Sequence, residues 1–276
     1  MPPLTLAYSP CPNDTYIFAA LTNGLLPNAP PVRAELLDID ELNAGAARGA
    51  YDLVKVSYGA VPYLTDRYRL LRSGGALGRG CGPLVVAKPG GVPPLFSDLA
   101  DCTVAIPGER TTAFLLLQLA LGRRPKTKIM RFDRIVDAVV NGEVDAGLII
   151  HESRFTYREA NLISVTDLGE WWEDATLLPI PLGAIAVRND VDDAAGLSAA
   201  VRQSLQYARQ HEDAIMPYVR EHAVEMDESV MRAHIGLYVN EFSDDVGALG
   251  VEAAHALFAR GRDAGIISSS AEPQFV

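Results

Sequence analysis

Asp145-Ala146-Gly147-Leu148-Ile149-Ile150-His151-Glu152-Ser153-Arg154-Phe155-Thr156-Tyr157 is the stretch from which the rest of the chain can be read. Ala146 to Ile150 is an apolar run too short for a globular helix and rich in Leu and Ile, which predicts a buried strand. It breaks abruptly into hydrogen-bonding residues, the first of them a histidine. In open α/β sheets ligands sit beyond the carboxyl ends of the strands, and histidine is the side chain best suited to proton transfer near neutral pH. Taken alone, the segment also reads as an ordinary strand end carrying a solvated His151. Its meaning depends on how the other strands end.

Leu4 to Tyr8 alternates like a short strand and enters Ser9-Pro10-Cys11-Pro12-Asn13-Asp14-Thr15. The two prolines argue against helix there, and Asn13 or Asp14 is then an N-cap for a helix over Tyr16–Leu21 that Gly24 ends. This is either helix punctuation or a loop whose free N–H groups line a ligand cleft. Asp52 to Ser57 predicts a strand with Lys55 on the face of Leu53 and Ser57; the ammonium either snorkels at an edge or faces an anion. Thr103 to Ile106 predicts a strand, Pro107 to Thr112 a turn, and Ala113 to Leu121 a helix stopped at Gly122. Thr111 and Thr112 are caps, and their hydroxyls beside helix N–H groups also suit a carboxylate or phosphate.

Further strands are expected over Val32–Leu37, Leu84–Lys88, Ile129–Phe132 and Gly183–Arg188. Short helices are expected over Glu41–Arg48, capped by Asp40, and Arg134–Val140. Ser73 to Pro83 holds five glycines in eleven residues but has neither a GxGxxG strand-to-helix turn nor a P-loop; Arg79 within it reads as solvated. From Ala194 onward the pattern is helical, with Leu197, Val201, Leu205 and Ala208 on one face. His211, His222, His234 and His255 sit there among charged residues and read as surface or half-buried helix positions.

The 276 residues, 49% of them hydrophobic, are enough for a large core divided into two lobes. Leu84–Lys88 and Gly183–Arg188 each end in a basic residue and read as crossover strands, with a linker-like cluster over Pro89–Pro94. The larger lobe is therefore expected to comprise 1–88 and 186–276, and the smaller 89–185. A net charge of −11 argues against nucleic acid and acidic membrane surfaces, so a small anionic substrate would have to be held by local donors. Cys11, Cys81 and Cys102 lack CxxC spacing and read as reduced thiols. With no HExxH, EF-hand loop or GxSxG, no metal and no cofactor is implied. No signal-peptide pattern and no membrane-length apolar run occur, so a cytoplasmic location is expected. Oligomeric state stays open.

Four polar strand ends thus stand out: Ser9–Thr15, Lys55–Ser57, Gly108–Thr112 and His151–Arg154. Two fall in each expected lobe, which places a ligand in a cleft between lobes with His151 as its one histidine. A base facing hydroxyl and N–H donors fits proton abstraction or C–C cleavage better than nucleophilic hydrolysis.

The blocks Ser9-Pro10-Cys11-Pro12-Asn13-Asp14-Thr15, Lys55-Val56-Ser57-Tyr58, Arg72 to Gly80 and Gly147 to Tyr157 closely resemble the 1,4-dihydroxy-6-naphthoate synthases of the futalosine route to menaquinone. The likeness runs nearly end to end, through Pro107-Gly108, Thr111-Thr112 and Trp171-Trp172. It implies a two-lobed, type 2 periplasmic-binding-protein-like α/β fold with a central interlobe cleft. It also implies a lyase acting on cyclic dehypoxanthinylfutalosine, without a cofactor. By this resemblance His151 is the general base, and Lys55, Val56, Ser57, Thr111 and Thr112 hold the substrate. Ser9, Asn13, Asp14, Arg79 and Ile150 are further candidates; Arg110 receives no role, and whether Glu152 or Arg154 assists stays open. A chorismate dehydratase of the same pathway and a non-catalytic small-anion-binding protein are the alternatives.

Overall fold

A computed structural model describes residues 2–92, 96–224 and 227–276. The chain begins with β1 (Leu4–Tyr8), α1 (Pro12–Thr22), β2 (Val32–Leu36), α2 (Ile39–Ala47) and β3 (Leu53–Ser57). β1 pairs in parallel with both β2 and β3, so each helix is a crossover of a βαβ unit. Two short strands follow, β4 (Tyr68–Leu70) and β5 (Ala76–Gly78).

The chain then builds a second sheet from β6 (Leu84–Ala87), β7 (Thr103–Ile106), α3 (Thr112–Leu121), β8 (Lys126–Ile129), α4 (Ile135–Val140), β9 (Ala146–Ile149), α5 (Ser153–Thr156), β10 (Ile163–Asp167) and α6 (Leu168–Thr176). Here β7 pairs in parallel with β8 and β9, repeating the plan of the first sheet. β11 (Ile180–Arg188) returns to the first sheet, antiparallel to β3 and β4. The first sheet runs β2-β1-β3-β11-β4 with β5 on β11, and the second runs β10-β6-β9-β7-β8.

Sheet membership corrects the expected boundaries at 88 and 186. Leu84–Ala87 is fully buried between β9 and β10, inside the second sheet. β11 lies in the first sheet from Ile180 onward. The chain therefore crosses in 79–83 and 177–179, and Leu84–Lys88 is no crossover strand. Residues 93 and 94 of the expected linker lie outside those described. The strand expected over Ile129–Phe132 is β8, three residues earlier. Lys126-Thr127-Lys128-Ile129 is a mostly exposed edge, where charge blunts strand addition and weakens the apolar signal.

α7 (Ala194–Gln210), α8 (Glu212–His222), α9 (Glu228–Tyr238), α10 (Glu241–Asp244) and α11 (Gly247–Asp263) complete the chain. α7, α8 and α9 pack on α1, and Leu197, Val201, Leu205 and Ala208 are all buried in α7. Around them Ile17, Phe18, Ile215, Met216 and Met231 form one apolar core. α1 begins at Pro12, earlier than expected, because a proline at N1 has no N–H to lose and is preset for helix. That one-turn change puts Asn13 and Asp14 inside the helix, with buried side chains. At the terminus Leu70 N donates to Gln274 O (2.7 Å) and Val276 N to Leu70 O (2.8 Å), covering the edge of β4. No described helix is long and apolar enough to cross a membrane.

Candidate active site

A cavity of about 90 Å³ lies between the strand ends of the two sheets. Its first wall comes from β1, α1 and β3. Lys55 Nζ is 2.8 Å from Asp14 Oδ1, and both side chains are almost wholly enclosed, at 5% and 2% exposure. Ser9 Oγ donates to Asp14 Oδ2 (2.7 Å) and Asn13 Nδ2 to Asp14 Oδ1 (2.9 Å). The carboxylate is thus surrounded by donors, as a buried charge requires. Of the two readings offered for Lys55, edge snorkelling or facing an anion, the second describes this, and the anion is a carboxylate of the chain itself. On the same face Ser57 N donates to Asn43 Oδ1 (2.9 Å) and Asn43 Nδ2 to Ser57 Oγ (3.1 Å). Asn43, from α2, thereby aims the Ser57 hydroxyl.

The opposite wall starts at the first turn of α3. Thr111 is its N-cap, accepting from Phe114 N (3.2 Å) and donating to Gly108 O (2.8 Å). The Thr112 hydroxyl reaches the first sheet instead. It accepts from Gly59 N (3.0 Å) and donates to Leu182 O (2.7 Å). A Cβ on Gly59 would stand 2.8 Å from Thr111 O, so only glycine lets the two walls meet this closely. Both threonine hydroxyls are therefore used within the protein, though both residues line the cavity.

His151 follows β9 at the same end of the second sheet. Its φ is 56°, a left-handed conformation that costs a non-glycine residue on the order of 1 kcal/mol and recurs at functional sites. The ring packs edge-on to Phe132 at 4.9 Å. Its Nε2 is enclosed and has no hydrogen-bond partner among the described residues.

His234 is the chief residue that sequence reasoning missed; Tyr238 and Asn43 were missed as well. Read from the sequence as a surface or half-buried helix position, His234 is completely buried, and α9 brings it and Tyr238 into the cavity wall. The two histidine rings lie 6.3 Å apart and nearly parallel, at 27°, and His234 Nε2 is 2.9 Å from Asn13 Oδ1. The period of α9 does place His234 three residues after the buried Met231 and four before Tyr238, the one signal that would have marked this face as inward.

Burial disfavours the charged ring and lowers His151 from 6.5 to about 4, with Asp14 opposing the shift and Lys55 adding to it. Burial, then His151 and Lys55, also pushes His234 well down. Both rings are neutral near pH 7. In the unfolded chain both return to about 6.5, so between pH 6.5 and 4 the unfolded state binds more protons. The stabilisation from keeping these rings neutral is complete above pH 6.5 and is lost as pH falls toward 4. Denaturant titrations are expected to show the unfolding free energy dropping by up to about 1.4 kcal/mol per pH unit per histidine in that window. An unchanged slope in the His151→Gln, His234→Gln double variant would assign the effect to other groups.

Of the residues singled out from the sequence, Ser9, Asn13, Asp14, Lys55, Ser57, Thr111, Thr112, Ile150 and His151 line this cavity. Val56 does not; strand alternation turns its side chain into the core on the other face. Arg79 is half-exposed and bonds to Leu177 O (2.8 Å) beside Glu173, away from the cavity. Arg110 stacks over the Tyr63 ring at 3.5 Å. Arg154 joins Gly82 O and Asp167 Oδ2, both at 2.6 Å, and so ties α5 to the crossover and to β10. Among the described residues one trio could hold a metal ion: ligand atoms of Cys11, His151 and Glu152 lie within 4.8 Å of one another. Burial holds the Cys11 thiol well above its ordinary range, and a metal there would occupy a ring nitrogen of His151, so metal and base roles compete.

Two α/β sheets, each a pair of βαβ units plus an antiparallel strand, with a polar cavity at their facing strand ends, define a two-lobed periplasmic-binding-protein-like fold. The alkanesulfonate-binding protein SsuA of Xanthomonas axonopodis pv. citri shares that fold, with a TM-score of 0.71 over 96% of this chain and 93% of its own at 13% identity. A family model described as menaquinone biosynthesis matches residues 4–263, and the chain belongs to that family. The 1,4-dihydroxy-6-naphthoate synthase of Thermus thermophilus is 48% identical over the whole of both chains. The protein AF1704 of Archaeoglobus fulgidus has a TM-score of 0.89 at 33% identity, covering 96% of this chain and 98% of its own.

Proposed function

We propose that the protein is a carbon–carbon lyase that converts cyclic dehypoxanthinylfutalosine to 1,4-dihydroxy-6-naphthoate, with His151 as the general base. The observation that carries this reading is the enclosed, partnerless Nε2 of a neutral His151 on the wall of the interlobe cavity. A neutral imidazole is a base without first losing a proton, and enclosure excludes water from the step it starts.

In a retro-aldol-like cleavage the imidazole takes the proton of a hydroxyl β to a carbonyl. The O–H electron pair becomes the π bond of a new carbonyl, and the C–C bond breaks with its pair passing to the enolate. Return of the proton to the enolate carbon closes the balance, with no external oxidant or reductant. Ser57, held by Asn43, would orient an oxygen atom of the substrate from the facing wall, while Lys55 holds Asp14 in place.

Whole-length identity to a relative named for this synthase supports the reading. Incubating the purified protein with cyclic dehypoxanthinylfutalosine is expected to yield dihydroxynaphthoate by mass spectrometry. Folded protein that yields none sinks the lyase reading. If it nonetheless binds the compound, the chain is a binding protein of the kind its fold also serves.

A further inference from the structure

We propose that His234 is a substrate-positioning residue whose bare Nδ1 accepts a hydrogen bond from a ligand hydroxyl. The cavity would then select a ligand that presents hydroxyls to both histidines. The inference rests on the lyase reading above and deepens it.

A chain of bonds decides the His234 tautomer. The Asp14 carboxylate, ion-paired with Lys55, only accepts hydrogen bonds. The Asn13 atom 2.9 Å from it must therefore be the amide nitrogen. That leaves the Asn13 carbonyl facing His234 Nε2 at 2.9 Å. A carbonyl cannot donate, so Nε2 carries the ring proton. The ring is neutral, so Nδ1 is an unprotonated acceptor. The charge on Lys55 thus fixes, through two side chains, which nitrogen of a distant histidine is bare.

That Nδ1 is enclosed and has no donor among the described residues, on a residue that is completely buried and lines the cavity. A buried acceptor is costly until something donates to it. The nearest cation is engaged, since Lys55 Nζ is committed to Asp14 and lies 3.4 Å from Gly74 O. A ligand hydroxyl is the donor that fits a neutral, acceptor-only position. With the His151 ring 6.3 Å away and nearly parallel, one hydroxylated ligand can meet both, giving a proton to His151 and a hydrogen bond to His234.

Two substitutions separate this role from packing. In His234→Gln the amide reaches the Nε2 position and keeps a donor for Asn13, but nothing accepts at the Nδ1 position. In His234→Asn the carbonyl reaches the Nδ1 position and keeps the acceptor. With cyclic dehypoxanthinylfutalosine, His234→Gln is expected to lose roughly 10–100-fold in kcat/KM, chiefly through KM, while His234→Asn recovers most of it. Calorimetric binding of the same compound in the His151→Ala background is expected to weaken about tenfold with His234→Gln. Turnover by the wild type with no loss in folded His234→Gln, or with Asn no better than Gln, overturns the inference and leaves the lyase reading intact. A wild type that binds without turnover sinks the lyase reading alone, and the binding series then decides on His234. A wild type that does neither sinks both.

Discussion

Replacing His151 with asparagine or alanine is expected to leave a folded protein that still binds cyclic dehypoxanthinylfutalosine but turns it over about 10²–10⁴-fold more slowly. Asparagine is the more telling choice, because it tolerates the left-handed φ of 56° that the turn after β9 imposes. A backbone shift is then no explanation for lost activity. The loss should fall on kcat with KM nearly unchanged, opposite to the pattern expected at His234, since a base acts only as the transition state forms. The acid limb of kcat/KM should also lie near pH 4, where His151 takes a proton, and not near 6.5. Near wild-type turnover in either variant would falsify the base assignment.

Asp14→Ala is expected to be the most destabilising single substitution at the site. It strips the partner from Lys55, which at 5% side-chain exposure cannot reach water. Removing one member of a buried pair costs about 3–5 kcal/mol, because the other charge is left uncompensated. For a chain of this size that is a fall in melting temperature on the order of 10 °C. Replacing both residues, as Asp14→Leu with Lys55→Met, should restore only part of the stability: a buried pair contributes little over an apolar one, but the buried Ser9 hydroxyl and Asn13 amide lose their acceptor. It should not restore kcat/KM. The apolar pair no longer orients Asn13, and so no longer holds the His234 proton on Nε2. A double variant with wild-type kcat/KM would show that the pair serves packing alone.

Much of the architecture was legible because strands and helices announce themselves locally. β7 is the Thr103–Ile106 run, β9 is the apolar segment before His151, and α3 is stopped by Gly122. Errors came where local signals mislead. Polar residues on the exposed edge strand β8 hid its start, and two prolines concealed that α1 begins at the second of them. Leu84–Lys88 read as a crossover because an apolar run ending in lysine looks alike at a sheet's edge and at its centre; only pairing with β9 and β10 tells the two apart.

The same division holds at the site. By itself the sequence determined which strand ends are polar, that His151 stands at one of them, and that Thr111 caps a helix, since each depends on neighbours a few residues away. Only the tertiary structure decided that Asp14 neutralises Lys55, that Asn43 aims Ser57, that the Thr112 hydroxyl spans the cleft, and that His234 faces His151. Those pairings join residues far apart in the chain. Their free energy comes from burial, which raises the cost of any charge or lone pair left alone, and burial exists only once the elements have packed.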